Sequence, residues 1–233
     1  MTLLCEGDEL RRLEHWAARR PGVKFTHIAL ARGRTASQPM LTLRGSRPSY
    51  EDELAAVREL GAALVRDGFA VARVKVECAP WAAGVPRDDA DVPDADHPHG
   101  GRHFEHHVKL LLDPSDGDRE THITADGDRK APVAAGHDRK ASVAADSGRW
   151  EALVAVAVRH GAHVSWNARR RRADGREERF VTQRCHRTGD RRAALRLDAL
   201  LAELTAYEVV DVEREYVLLD SGPELDEGWL EAA

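Results

Sequence analysis

The stretch 103–112 most constrains the fold, because its side chains alternate in character along what reads as a single β-strand. The polar positions are His103, Glu105, His107 and Lys109, and the apolar ones are Phe104, Val108, Leu110 and Leu112. Such a strand packs one side against a core and leaves the other side open. Folding does not require two histidines, a carboxylate and an ammonium in one row, so the polar side predicts a functional site.

The rest of the chain alternates between helical and extended patterns. Predicted helices cover 8–19, 50–67, 149–160 and 190–206. Predicted strands cover 23–30, 40–43, 69–77, 103–112, 162–169, 178–185 and 209–219. In the strand 69–77, Val71, Arg73, Lys75 and Glu77 are expected on one side.

These elements predict an α+β protein with antiparallel sheets and helices on one face. The second half has the order β-α-β-β-α-β of a ferredoxin-like unit. The first half reads as β-β-α-β after a leading helix, which is compatible with a partial copy. The segments 26–30 and 106–110 resemble each other, and each precedes a turn, a helix and a strand. We therefore predict duplicated ferredoxin-like units.

The composition divides the chain into a first α/β half at 1–83, a linker at 84–101 and a second half at 102–233. Residues 114–148 contain a direct repeat, 128–135 against 138–145, that lacks large apolar side chains. Because such a segment buries no apolar face, we predict a disordered insertion there.

The net charge of −5 disfavours a general nucleic-acid binder, since phosphate neutralisation needs surplus Lys and Arg. Nucleic acid remains a less favoured partner. The three cysteines are widely separated and lack metal-site spacing, which favours reduced thiols. No apolar run approaches membrane-spanning length, and the first residues do not resemble a signal peptide. These observations predict a cytoplasmic protein with no membrane association, and they leave its oligomeric state open.

Four predicted strands each carry a row of polar side chains. The rows are Arg73, Lys75 and Glu77; His103, Glu105, His107 and Lys109; His163, Ser165, Asn167 and Arg169; and Glu213 and Glu215. An antiparallel sheet with a solvated outer face also has polar rows. Solvated faces favour Thr, Lys, Glu and Ser, however, whereas these rows are rich in His and Arg. We therefore expect them to share one functional face.

This mixture of side chains favours a phosphorylated, nucleotide-like small molecule. Guanidinium and ammonium groups bind phosphate oxygens, which assigns substrate binding to Arg73, Lys75, Lys109, Asn167 and Arg169. Carboxylates bind Mg²⁺ beside phosphates, which assigns the cofactor to Glu105, Glu213 and Glu215. The predicted catalytic residues are His107 and His163, which transfer protons near neutral pH, and Glu105, which orients a histidine.

The sequence leaves other readings open. A non-catalytic module that binds a metabolite, RNA or a protein would use the same groups. Five histidines between 97 and 107 suggest a transition-metal site, although no HExxH pattern is present. At the C-terminal end, Trp229 and Leu230 predict either a tail folded onto the core or a lid or dimer contact.

Two family resemblances point to phosphate chemistry. The pattern Glu105-x-His107-x-Lys109 with a late Glu213-x-Glu215 resembles the strands of triphosphate-tunnel (CYTH) enzymes, which bind triphosphate with Mg²⁺; here His replaces the middle Glu. His163-Val164-Ser165 is similar to the His-x-Thr/Ser strands of two-histidine phosphoesterases. In that family His27 and His107 would fit the duplicated placement, with Ala29 and Lys109 where Thr or Ser is usual. Both resemblances imply a phosphohydrolase or phosphoesterase.

Overall fold

The computed structural model describes residues 1–45, 47–93, 101–113, 140–170 and 172–229, with the backbone alone at 140–147. The predicted insertion falls mainly outside these residues, as do seven residues of the predicted linker and Leu230. The last part of the predicted insertion, 140–148, lies in a helix. Within the described residues, no helix is both long and apolar enough to cross a bilayer.

The described residues form four α-helices, which are α1 (Asp8–Ala18), α2 (Tyr50–Arg66), α3 (Lys140–Arg159) and α4 (Asp190–Glu203). The start of α2 is fixed by Ser49, whose hydroxyl accepts a hydrogen bond from the backbone N–H of Asp52 at 3.1 Å. Just beyond its end, Gly68 adopts a positive φ of 80°, a conformation that glycine takes without strain. Local sequence signals thus set both ends of this helix.

Outside the gaps named above, nine β-strands form one antiparallel sheet, which confirms the predicted α+β class. They are β1 (Thr2–Leu4), β2 (Val23–Leu30), β3 (Ser37–Leu43), β4 (Ala70–Arg73), β5 (Lys75–Cys78), β6 (His103–Leu112), β7 (Ala162–Asn167), β8 (Glu177–His186) and β9 (Glu208–Asp220). Their spatial order is β4-β1-β3-β2-β7-β8-β6-β9-β5.

Two stretches of the chain, 2–73 and 103–220, have the same order of described elements. Each runs β-α-β-β-α-β, and its four strands lie in the spatial order fourth, first, third, second; β5 is an additional strand of the first half. The short strand β1, which the sequence pattern missed, completes this order in the first half. Ferredoxin-like duplication stays a prediction, and the matching orders support it.

The sheet closes on itself at Val74. Strand β4 pairs with β1 and strand β5 pairs with β9, yet only Val74 separates β4 from β5 in the chain. Val74 also bonds to the residue after β9: its N–H donates to Ser221 Oγ at 2.8 Å, and its carbonyl accepts from Ser221 N–H at 2.9 Å. The surface enclosed by the closed sheet is called the inner face below.

The prediction of one uninterrupted strand over 69–77 is wrong. The pairing of β1 with β4 shifts register between Thr2 and Leu3. As a result Val71 packs with the helix-side core, whereas Arg73 bonds to the buried Asp220 and Asp226. An irregularity of this kind bends a strand, which allows this segment to leave one neighbour and join another.

The helices cover the outer face of the sheet, as predicted. One apolar cluster joins α3 and α4 to β6, β7 and β8, and includes Leu110, Leu153, Val181 and Leu200. A second joins α1 and α2 to β1 and β3, and includes Leu3, Leu13, Leu41 and Leu64. These apolar side chains are buried between the outer face and the helices. Because alternate strand residues point to opposite faces, the polar residues between them point to the inner face.

Candidate functional site

The polar side of β6 forms the centre of the inner face. Glu105 lies opposite Arg184 of β8 and Glu215 of β9, and His107 lies opposite Thr182 and Glu213. Cross-strand neighbours of this type have Cβ atoms about 5 Å apart, so their side chains interact. The predicted polar rows of β5, β6 and β9 therefore share one face.

Glu105 is the most heavily contacted carboxylate of this face. Its oxygens lie 2.7 Å from both Lys75 Nζ and Arg184 Nε, 3.2 Å from His107 Nε2 and 3.3 Å from His103 Nε2. Burial raises the pKa of Glu105, but Arg184, Lys75 and the two histidine hydrogen bonds outweigh it and hold that pKa well below its usual range. Glu105 is therefore an anion surrounded by donors.

His107 is held between two carboxylates and a hydroxyl. Its Nε2 lies 3.2 Å from Glu105 and 3.5 Å from Glu215, and its Nδ1 lies 3.0 Å from Thr182 Oγ1. Burial lowers the pKa of His107, but the hydrogen bonds to Glu105 and Glu215 outweigh it and raise the pKa to about 9. His107 is thus an imidazolium at neutral pH, a proton donor in place of a base.

A second group of ion pairs lies next to Glu105. Arg73 donates to Asp220 from Nε at 2.8 Å and to Asp226 from Nη1 at 2.7 Å. Arg184 donates to the same oxygen of Asp226 from Nη2 at 2.8 Å. Because Arg184 also binds Glu105, the two groups are continuous. The ionic network, as used below, comprises Arg73, Lys75, Glu77, Glu105, His107, Arg184, Glu215, Asp220 and Asp226.

Lys109 lies further along β6, apart from this network. Its Nζ is 3.1 Å from the buried carboxylate of Glu178, which Arg170 also approaches at 3.2 Å and Arg172 at 3.7 Å. One carboxylate is thus shared by three cations at this end of the inner face. Lys109 therefore lies beside the ionic network, in a group of cations that could bind an anion.

The predicted residues of β7 and of the turn after it have partners outside the network. His163 of β7 lies opposite Thr182 of β8. The centroid of the His163 ring is 5.4 Å from the centroid of the Trp229 ring. Asn167 accepts a hydrogen bond from the backbone N–H of Arg169, whose guanidinium pairs with Glu14 of α1 at 2.7 Å. The structure thus brings His163 to the inner face and places Arg169 beside α1, away from the network.

The structure does not bring together His27 and His107, the two histidines that the resemblance to two-histidine phosphoesterases pairs. His27 follows Phe25 on the helix-side face of β2, and its Nε2 lies 2.9 Å from Ser37 Oγ. His106 likewise faces the helix side, where its Nδ1 lies 3.1 Å from Gln183 Oε1. Of these histidines, His107 alone belongs to the network.

The sequence reasoning missed three members of the network: Arg184, Asp220 and Asp226. Along β8, polar side chains recur at alternate positions, namely Glu178, Thr182, Arg184 and His186. This pattern would have predicted that Arg184 lies on the polar face. Asp220 is the last residue of β9, and Asp226 belongs to a short 3₁₀ turn. Neither aspartate belongs to an alternating pattern of polar residues in the sequence. Only the tertiary structure shows that both contact Arg73.

The predicted Mg²⁺ ligands form a row on two strands. Glu105 and Glu215 both contact His107, and Glu213 follows on the exposed part of β9. Among the described side chains no group of three His, Cys, Asp or Glu is assembled to hold a metal. The donor types fit a hard divalent cation, provided that Glu105 and Glu215 exchange their present cationic partners for it.

Comparison with protein-family models, with curated proteins and with solved structures finds no match to this chain.

Proposed function

We propose that the protein is an enzyme that acts on a phosphate ester or phosphoanhydride, with a nucleotide-like substrate bound at the inner face. The observation that carries this proposal is the convergence of Lys75, Arg184 and His107 on the single carboxylate of Glu105. Side chains of both signs within hydrogen-bonding distance are what a metal–phosphate ligand requires.

The balance of charge in the network supports a ligand of mixed sign. Its cations are Arg73, Lys75, His107 and Arg184, and each is paired with at least one of five carboxylates. A bare phosphate would meet carboxylates as well as cations. A phosphate with Mg²⁺ would exchange partners on both sides, the phosphate oxygens taking the cations and the metal taking Glu105, Glu213 and Glu215.

The protonation of His107 sets its role in this proposal. In hydrolysis of a phosphoanhydride, the oxygen of water bonds to phosphorus and releases one proton to solvent while the P–O bond to the leaving group breaks. The leaving oxygen accepts a proton from His107 Nε2, and solvent then reprotonates the imidazole. Arg73, Lys75 and Lys109 would hold the phosphate oxygens. Bound Mg²⁺ would supply neutralisation of charge on those oxygens.

The test is phosphate release from nucleotides, inorganic pyrophosphate and sugar phosphates in the presence of Mg²⁺. For the substrate turned over, His107→Gln should lower kcat by about 10²- to 10⁴-fold, because it removes the proton donor. The matched control is His27→Gln on the helix-side face, which should keep kcat within about twofold. Circular dichroism would establish that both variants are folded.

Two results would contradict this proposal. Full activity in folded His107→Gln would remove His107 as the acid. Absence of turnover by the wild-type protein across all three phosphate classes would overturn the enzymatic function.

A second candidate function is a non-catalytic binding module that uses the same face. It is favoured by the pairing of the predicted phosphate-binding cations, since Arg73, Lys75, Lys109 and Arg169 each have a carboxylate within 3.1 Å. Saturable binding of a phosphorylated ligand without turnover would select this function.

A further inference from the structure

The segment after β9 folds back onto the inner face. It leaves the sheet at Asp220, forms a 3₁₀ turn at Pro223–Asp226, and ends its described part at Trp229. Asp226 is 1% exposed and Trp229 is 5% exposed, although neither belongs to the sheet. We call residues 222–229 the C-terminal segment.

Asp226 occupies a position built for an anionic oxygen. Its Oδ2 accepts hydrogen bonds from Arg73 Nη1 at 2.7 Å and from Arg184 Nη2 at 2.8 Å. Its Oδ1 accepts one from Gln38 Nε2 at 3.0 Å. Two guanidinium groups and an amide, all buried, therefore point at one carboxylate.

The sheet holds both guanidinium groups without help from Asp226. Asp220, at the end of β9, accepts from Arg73 Nε and Nη2, and Glu105 of β6 accepts from Arg184 Nε at 2.7 Å. Each arginine thus has one carboxylate partner on a strand and directs another of its nitrogens toward Asp226. The donors keep their placement whichever anion lies between them.

The charges of the network single out Asp226 as the exchangeable group. Within the network the strands carry four cations and four carboxylates, the latter being Glu77, Glu105, Glu215 and Asp220. Asp226 is the fifth carboxylate and lies outside the strands. Replacing Asp226 by another anion therefore leaves the equal numbers of positive and negative side chains on the strands unchanged.

Within the part of the chain that the structure describes, Trp229 and Glu227 also connect the C-terminal segment to the rest of the protein. Trp229 Nε1 donates to the carbonyl of Val164 at 3.3 Å, and the ring packs against His163. On the exposed side, Glu227 pairs with Arg34 at 3.0 Å, and its carbonyl accepts from the backbone N–H of Arg34 at 2.9 Å. The buried tryptophan and the buried aspartate are thus its two anchors.

We propose that Arg73, Arg184 and Gln38 form an oxyanion subsite that Asp226 occupies in cis, and that a phosphate group enters it by displacing the C-terminal segment. This inference rests on the proposed function and adds its regulation: the chain carries its own competitor for the phosphate. The carboxylate stands in for one phosphate oxygen, because both accept the same guanidinium donors.

The experiment measures binding of inorganic pyrophosphate with Mg²⁺ by titration calorimetry to the wild-type protein and to three variants. Asp226→Asn removes the competing charge, and Trp229→Ala removes the second anchor. Both should tighten the Kd by at least about tenfold, because Asp226→Asn removes the anion that competes with the ligand and Trp229→Ala weakens the segment that carries this anion. The matched control, Glu227→Gln, alters an exposed ion pair of the same segment and should leave the Kd within about twofold.

A second readout follows the segment itself. Pyrophosphate should accelerate amide hydrogen exchange at residues 223–229 of the wild-type protein, which a purely structural Asp226 would not allow. If Asp226→Asn fails to fold, Trp229→Ala decides.

The outcomes separate the two proposals. An unchanged or weaker Kd in the folded variants, with wild-type binding intact, overturns the competitor and leaves the proposed function standing. Tighter pyrophosphate binding by the folded variants supports the subsite, and the turnover assay on the three phosphate classes decides the enzymatic function separately. No pyrophosphate binding by any of the four proteins overturns the subsite, and the turnover assay on nucleotides and sugar phosphates then decides the enzymatic function.

Discussion

At the scale of single residues, the inner face depends on one carboxylate shared by several donors. Glu105 is 2% exposed and lies within hydrogen-bonding distance of two permanent cations and two imidazoles. Desolvation of such a group is compensated only while these partners remain. The charge state of each partner therefore affects the stability of the whole protein. Burial lowers the pKa of His107, but the hydrogen bonds to Glu105 and Glu215 outweigh it and raise that pKa to about 9.

His107 makes stability depend on pH in a defined direction. Its pKa rises from 6.5 to about 9 on folding, so its stabilisation is complete below pH 6.5 and is lost as the pH increases through 9. The shift corresponds to about 3 kcal/mol. We expect the difference in unfolding free energy between wild type and His107→Gln to decrease by about this amount from pH 6 to pH 10.

Urea unfolding of both proteins across that pH range checks this prediction, and taking their difference cancels the groups that they share. A difference that stays constant with pH would show that His107 is not the protonated partner of Glu105 and Glu215.

At the scale of elements, ion pairs join the loop before β6 to the start of α4. Arg191 Nη1 lies 2.7 Å from Asp88, Arg192 Nε lies 2.7 Å from Asp89, and Arg87 Nη1 lies 3.1 Å from Asp190. This close approach is possible because the residue before the helix has no side chain. Gly189 therefore determines how the loop and the helix meet.

We predict that Gly189→Ala destabilises the protein. A Cβ atom there would lie 2.4 Å from the carbonyl carbon of Asp88 and 2.7 Å from the carbonyl oxygen of Arg87, so the backbone must shift. The unfolding free energy should fall by about 1–3 kcal/mol in urea. The matched control is Gly148→Ala in α3, where nothing lies within 4 Å; it should raise stability by about 0.5–1 kcal/mol. Equal effects of the two substitutions would contradict this reading.

The sequence predicts elements well where the periodic signal is long. The range of β2 agrees at both ends, and α1 and α2 agree within a residue or two. Strand β1 was missed because three residues carry no periodicity. The break at Val74 was missed because it results from pairing with two strands distant in the chain. The site divides in the same way: the rows on β5, β6 and β9 follow from alternation, whereas the position of Asp226 depends on tertiary contacts.

At the scale of the whole molecule, the shared sheet couples the two halves. Strands of the first half pair with strands of the second at two places, β2 with β7 and β5 with β9. The two apolar clusters therefore lie on one continuous backbone network. We predict a single cooperative unfolding transition.

Leu13→Ala in the first-half cluster and Leu200→Ala in the second-half cluster test this coupling, since both side chains are fully buried. Each should lower the unfolding free energy by about 2–5 kcal/mol and shift the same calorimetric transition. Two separable transitions, each sensitive to one variant alone, would show that the halves unfold independently.

Closure at Val74 also has a consequence for the behaviour of the protein at high concentration. Of the nine described strands, only β4 and β5 have a single neighbour, and each is four residues long. A long unpaired strand is a template on which another chain adds and aggregation begins. The described sheet offers intermolecular strand addition two short segments separated by Val74. The closure that encloses the site therefore also limits self-association.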